Sequence, residues 1–169
     1  LNPDEPSYYC SSAKVYSLML INNKKVLSEA DKVKVLDEID NNVNQCRTLG
    51  GTNYKMLFNI GTIYSDLFFN KITASPDKAI QIFEDLKPVL KYNPWVHLSI
   101  GTLNLENNNI PVFKENMEIA LKYKNDFMPA YIELFRYYYK TKDTEQIKLL
   151  LERFKNIQFY SYEFVSYIN

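Results

Sequence analysis

One pattern in this chain returns at a near-constant interval, and a recurrence of that kind leaves few architectures open. Between Tyr54 and Ser161, Ile60-Gly61 followed by Tyr64 opens a first block, Ile100-Gly101 a second, and Leu134-Phe135 followed by Tyr138 a third. From position 61 to position 101 is a step of 40 residues and from 101 to 135 a step of 34, the difference being about six extra residues between Phe69 and Ser75. Each unit holds two helix-length apolar patterns. A repeat of that length cannot bury its apolar face alone, so copies must stack as helical hairpins.

Turn and cap signals divide the chain in the same way. A first helix, capped by Ser7 or Ser11 and ending near Asn22, carries the apolar stripe Val15, Leu18, Met19 and Asn22. After Asn23-Lys24-Lys25 a second runs from Ser28-Glu29 to about Arg47, with Ala30, Val33, Leu36 or Val35, Ile39, Val43 and Cys46 inward. Gly50-Gly51 stops it, because glycine takes the left-handed conformation that ends helices. Residues 7–51 thus read as a divergent N-terminal hairpin. Three blocks follow at 54–93, 94–127 and 128–161, entered at Thr52 or Asn53, at Asn93-Pro94 and at Met128-Pro129. Ala79 is small enough to lie against Gly61. In the tail Tyr162, Val165 and Ile168 keep a helical rhythm, as a cap over 162–169 would. The expectation is one all-α domain over 1–169: a right-handed superhelical array of antiparallel helix hairpins, with about three repeats, the degenerate N-terminal hairpin and a C-terminal capping helix.

Composition agrees and narrows the function classes. A chain of 169 residues can bury a real core. Lys plus Arg equals Asp plus Glu at 20 each, with pI near 6.8, so no basic field draws it to nucleic acid. No apolar run approaches the roughly 18 residues that a membrane span needs. The polar start Leu1 to Pro6 reads equally as the lead-in of an exported protein and as a boundary within a linker.

Cys10 and Cys46 are the only cysteines, one on each arm of the first hairpin. Reflection about the turn sets Cys10 opposite a residue near Asn42, leaving Cys46 about one helical turn, roughly 5 Å, too far. Extended backbone at Cys10 would close that gap. The spacing therefore permits a disulfide without requiring it, and two buried thiols fit equally well. A disulfide would imply an oxidising compartment.

The blocks resemble the tetratricopeptide repeat family. The residues that carry the resemblance are the pairs Ile60-Gly61 and Ile100-Gly101, the aromatics Tyr64 and Tyr138, the opposing Ala79, and Phe83 and Ala120 at later family positions. The chain departs from the pattern at Asn104, where an aromatic is usual, at Phe113 and Ile147 for the small opposing residue, and at Phe135 for the glycine. The resemblance implies a concave groove lined by the first helix of each pair, used to hold proteins or peptides. Carried over residue by residue, that groove would present Lys55, Phe58, Asn59, Thr62 and Asp66, then Trp95, Leu98, Ser99, Thr102 and Glu106, then Ile132, Glu133, Arg136, Tyr139 and Lys140. At the places where one subgroup clamps a C-terminal carboxylate with cations, this chain has Phe58, Thr62, Ser99, Pro129 and Glu133. An apolar or amphipathic segment would suit it better.

Chemistry is thinly provided. The single histidine, His97, has no partner at metal-ligand spacing and reads as structural. There is no P-loop, dinucleotide glycine pattern, nucleophile elbow or CxxC. Pairs such as Glu115 with Glu118, or Glu133 with Arg136, are ordinary helix-surface spacing. The run Phe135 to Tyr139 fits packing between helices better than a stacking site. No catalytic residue, metal or cofactor is expected. The expected role is a non-catalytic scaffold for a protein or peptide, in the manner of a periplasmic or secreted bacterial assembly factor. A cytoplasmic chaperone or adaptor holding an amphipathic segment, and an accessory domain of a larger enzyme, are the alternatives.

Overall fold

The computed structural model describes residues 5–157, and these are all helix and turn. The helices are α1 (Pro6–Asn23), α2 (Glu29–Gly50), α3 (Tyr54–Phe69), α4 (Asp77–Leu86), α5 (Pro94–Glu106), α6 (Ile110–Tyr123), α7 (Met128–Thr141) and α8 (Thr144–Lys155). The expected cap at 162–169 and the end of the third block at 158–161 lie outside the described residues. Two compact units divide the chain at Lys91 and Tyr92. In the first, α1 packs on α2 and α3 packs on α4, with α3 touching both α1 and α2. In the second, α5 packs on α6 and α7 on α8, with α7 touching both α5 and α6.

Side-chain caps start four of the helices. Asn53 Oδ1 accepts the backbone N–H of Lys55 and Met56, Asn93 Oδ1 that of Trp95, Ser28 Oγ that of Asp31 and Asp143 Oδ1 that of Gln146. α1 departs from expectation: its N-cap is Glu5, Pro6 supplies the first turn, and neither Ser7 nor Ser11 caps it. Gly51, at φ 55°, ends α2 by donating to Arg47 O.

The first helices of the three later hairpins all stop in one way. Lys71, Asn108 and Lys142 have φ near 60°. Their N–H groups donate three residues back, to Phe68, Leu105 and Tyr139. The next N–H, of Ile72, Asn109 or Asp143, donates five back, to Leu67, Asn104 or Tyr138. This is the Schellman closure, built three times on residues other than glycine. α1 ends without it, since Lys24 stays right-handed.

Both block glycines are buried against the returning helix. A carbon added at Gly61 would meet the Phe83 ring, and one added at Gly101 would meet Met117 and the Phe113 backbone. Phe83 and Met117 are 34 residues apart and so stand at equivalent places. The three atoms nearest the carbon added at Gly61 all belong to the Phe83 ring, one helical turn beyond Ala79, which is itself fully buried in the same unit.

The first hairpin bears out the disulfide and corrects three expectations about its helices. Cys10 and Cys46 form a disulfide, with Cα atoms 5.4 Å apart, and Cys10 is helical rather than extended. Cys10 therefore pairs four residues beyond Asn42, a shift of about 6 Å along the helix. That register leaves the first turn of α2, with Ala30, overhanging the end of α1; Ala30 is exposed rather than inward, and so is Val33, at 56%. In α1 the stripe Val15, Leu18 and Met19 faces outward at 65%, 45% and 41% exposure, while Cys10, Ala13, Ser17 and Leu20 face the core.

Candidate functional site

In the first unit, α1 and α3 converge on a cleft of about 450 Å³, lined by Cys10, Ser11, Lys14 and Val15 from α1 and by Asn59, Thr62 and Ile63 from α3. The spacing of Lys55, Asn59, Thr62 and Asp66 puts them along one face of α3. None of the four is buried. Thr62 Oγ1 donates to Phe58 O at 3.0 Å, the usual satisfaction of a helical threonine. Asp66 pairs with Lys14 across the helix contact at 2.5 Å, so the one ion pair here ties α1 to α3 at the end of the cleft. Phe58 is less available than its position suggests: it is half-buried and its ring stands edge-on to Phe83 at 5.4 Å. Ser11, Lys14 and Val15 were not anticipated in this site. Only Val15 has a signal in the sequence, as part of the α1 stripe that periodicity takes for the packed face; Ser11 reads as a candidate cap and Lys14 has none.

Among the described residues, the second unit presents Tyr92, Trp95 and Tyr139 to solvent, and the last two are each held from behind by a buried ring. Trp95 is 51% exposed and packs edge-on against Phe127, with ring centroids 5.0 Å apart. Tyr139 is 71% exposed and stacks on Phe135 one turn earlier, at 6.0 Å and an interplanar angle of 20°. On the Trp95 side of α5 lie Leu98, Ser99 and Thr102, all half-buried, with Thr102 Oγ1 donating to Leu98 O. On α7 the matching row is Ile132, Arg136 and Tyr139. Leu98 and Ile132 pack on the hydrophobic cluster of the unit, and Arg136 Nη1 pairs with Glu133 at 2.7 Å. Each row therefore combines an apolar base with a projecting aromatic ring.

Two polar clusters compete for attention. Tyr64 Oη donates to Asp40 Oδ1 at 2.7 Å, and Lys78 Nζ donates to Asp40 Oδ2 at 2.6 Å. Burial pushes the Tyr64 phenol well above its ordinary range, and the bond to Asp40 pushes it further. Both carboxylate oxygens are engaged, so the cluster ties α2 to α3 and α4. His97 is 5% exposed, with Nδ1 3.0 Å from Asn116 Oδ1. Asn116 Nδ2 donates to Val112 O, which turns its oxygen to the ring and assigns the imidazole proton to Nδ1. Burial with a fitted amide partner is the arrangement of an imidazole that joins α5 to α6. Among the described residues no His, Cys, Asp and Glu side chains gather as a metal-holding group, and no helix is long and apolar enough to cross a membrane.

Comparison with known proteins returns no matching family model, no matching curated protein and no matching solved structure.

Proposed function

We propose that this chain is a non-catalytic scaffold that holds a protein or peptide segment on the first helices of its hairpins, and that it acts in an oxidising compartment, as an exported or periplasmic assembly factor would. The observation that carries this is the pair of exposed aromatic rings, Trp95 and Tyr139, each immobilised by a buried aromatic neighbour. A ring already fixed before binding loses little conformational freedom on contact, so its apolar area converts efficiently into affinity. In the second unit the half-buried Leu98 and Ile132 supply an apolar floor, and the rim charges of Arg136 and Glu133 would set direction for an amphipathic segment. In the first unit the exposed Asn59 amide beside the α1–α3 cleft offers both a donor and an acceptor to a peptide backbone.

Support for an oxidising compartment comes from the Cys10–Cys46 disulfide, which a reducing cytoplasm would not maintain. The Schellman closures repeated at Lys71, Asn108 and Lys142 favour an array resembling tetratricopeptide repeats.

Selection from a displayed library of amphipathic peptides tests the proposal directly. Trp95 is the sole tryptophan, so a ligand seated on it shifts the protein's tryptophan emission. Selected peptides are expected to lose at least about tenfold in affinity on Trp95→Ala, equivalent to about 1.4 kcal/mol, with the helical content unchanged. Peptides that bind Trp95→Ala and Tyr139→Ala as tightly as the parent would remove these helices from the binding surface.

A further inference from the structure

α1 is apolar on two opposite sides. Cys10, Ala13, Ser17 and Leu20 are buried, yet Val15, about 160° around the helix from both Ala13 and Ser17, is 65% exposed. Leu18 and Met19 continue the outer row one turn on. Lys14 is the only charged residue in the helix, and it is committed to Asp66. The neighbouring α2 behaves as a solvent-facing helix should, with Glu29, Asp31, Lys34, Asp37 and Glu38 all exposed. A helix apolar all round is normally covered, and an outermost helix normally carries a polar outer face.

We propose that the outer face of α1 is a homodimer contact, in which two copies pair their α1 helices antiparallel about a two-fold axis beside Val15. Size complementarity points to a second copy. The N-terminal half of the face is a hollow of about 660 Å³ whose lining includes Ser7, Ser11 and Ser12, whereas the C-terminal half projects Leu18 and Met19. Antiparallel pairing about Val15 brings position n of one copy level with position 30 minus n of the other. Met19 then comes level with Ser11, about 6 Å to either side of the axis, and Leu18 with Ser12, about 4.5 Å to either side. Each copy's projections enter the other's hollow, which is the self-complementarity an isologous interface requires.

Charge selects the same direction. Glu5 lies at one end of α1 and Lys25 just past the other, both exposed. Antiparallel pairing brings an acidic end to a basic end, and parallel pairing would bring like to like. The charges between them, Lys14 and Lys24, are already engaged, Lys14 with Asp66 and Lys24 with the Asn70 carbonyl, so neither would be buried without a partner. An 18-residue helix is about 27 Å long, and one such face falls short of the roughly 800 Å² per partner of a standard interface. The dissociation constant is therefore expected in the range of about 10 to 100 µM.

Sedimentation velocity on the whole, disulfide-intact chain, from about 1 µM to about 500 µM, is the test. The parent should pass from monomer to dimer across that range. Val15→Lys and Val15→Glu should each stay monomeric, since like charges would meet at the axis, and an equimolar mixture of the two should recover the dimer. Leu18→Asp provides a second disruption at an exposed position, and circular dichroism confirms that each variant is folded. Three results would overturn the proposal: a parent that stays monomeric throughout, which would give the face to some other occupant; folded Val15→Lys and Leu18→Asp variants that dimerise like the parent; or a mixture that recovers nothing.

Discussion

Replacing Gly61 probes a close helix contact in the first unit. A β-carbon built there would lie 2.8 and 2.9 Å from two carbons of the Phe83 ring, against about 3.5 to 4.0 Å for relaxed carbon–carbon contact. The ring would have to retreat by about 0.7 Å or more. It has little freedom to do so, being 1% exposed and edge-packed against Phe58. Alanine gains about 1 kcal/mol in helix propensity over glycine, while overpacking a well-filled core costs about 1 to 3 kcal/mol. Gly61→Ala should therefore destabilise by about 1 kcal/mol net, and Gly61→Val, with two further methyl groups and a smaller propensity gain, by about 3 kcal/mol. The decisive measurement is the cycle with Phe83→Leu, which withdraws the ring atoms concerned. The double variant Gly61→Ala with Phe83→Leu should be more stable than the sum of the singles by about 1 kcal/mol, within the range known for touching residues. Urea titration followed by far-ultraviolet circular dichroism is the suitable assay, because Trp95 lies in the other unit. Additivity to within about 0.3 kcal/mol would refute the packing argument. Gly51 is the control: nothing lies within 4 Å of its added carbon, so Gly51→Ala should show only the backbone strain of φ 55° with ψ −125°, about 1 to 3 kcal/mol.

The Cys10–Cys46 bridge spans a sequence separation of 36. Loop-closure entropy for that span is worth about 4 kcal/mol. Reduction should lower the denaturation midpoint of the first unit, and the Cys10→Ser, Cys46→Ser double variant should show the same loss with no further response to reductant. A thiol assay on unreduced protein should find no free thiol; two free thiols would remove the bridge from the account. At neutral pH, Tyr64→Phe should cost about 1.5 to 3 kcal/mol, the range for a hydrogen bond to a charged group. Because the folded state holds the Tyr64 proton and the unfolded phenol releases it near pH 10, this contribution is complete below about pH 10 and declines as pH rises beyond it. The stability gap between parent and Tyr64→Phe should narrow in alkali, and a gap that widened there would reverse the sign of the argument.

The candidate site was partly legible from register. Spacing of three and four residues groups Asn59, Thr62 and Asp66 on one side of α3, and Ile132, Arg136 and Tyr139 on one side of α7. None of these is buried. What spacing does not reveal is how far a neighbouring ring intrudes: Phe58 sits in the same row and is drawn half into the core by Phe83. The lining contributed by α1 was also missed, because Val15, Leu18 and Met19 satisfy a helical period as well as the truly buried Cys10, Ala13, Ser17 and Leu20 do. Hydropathy periodicity identifies a face but carries no sign, and a helix apolar on both sides offers two answers.

Local rules were enough to determine that this chain is helical, where most of its hairpins turn, and that small residues recur at their contacts. Caps at Ser28, Asn53 and Asn93, the stop at Gly51 and the recurrence of the block pattern act over a few residues or one repeat, so they can be read directly from order. Tertiary packing decided the rest. It chose which side of α1 faces inward, set the four-residue register that lets Cys10 meet Cys46, and brought the Phe83 ring against Gly61. Each of those outcomes depends on the volume and shape that a distant segment brings to the contact, a quantity that no single helix encodes.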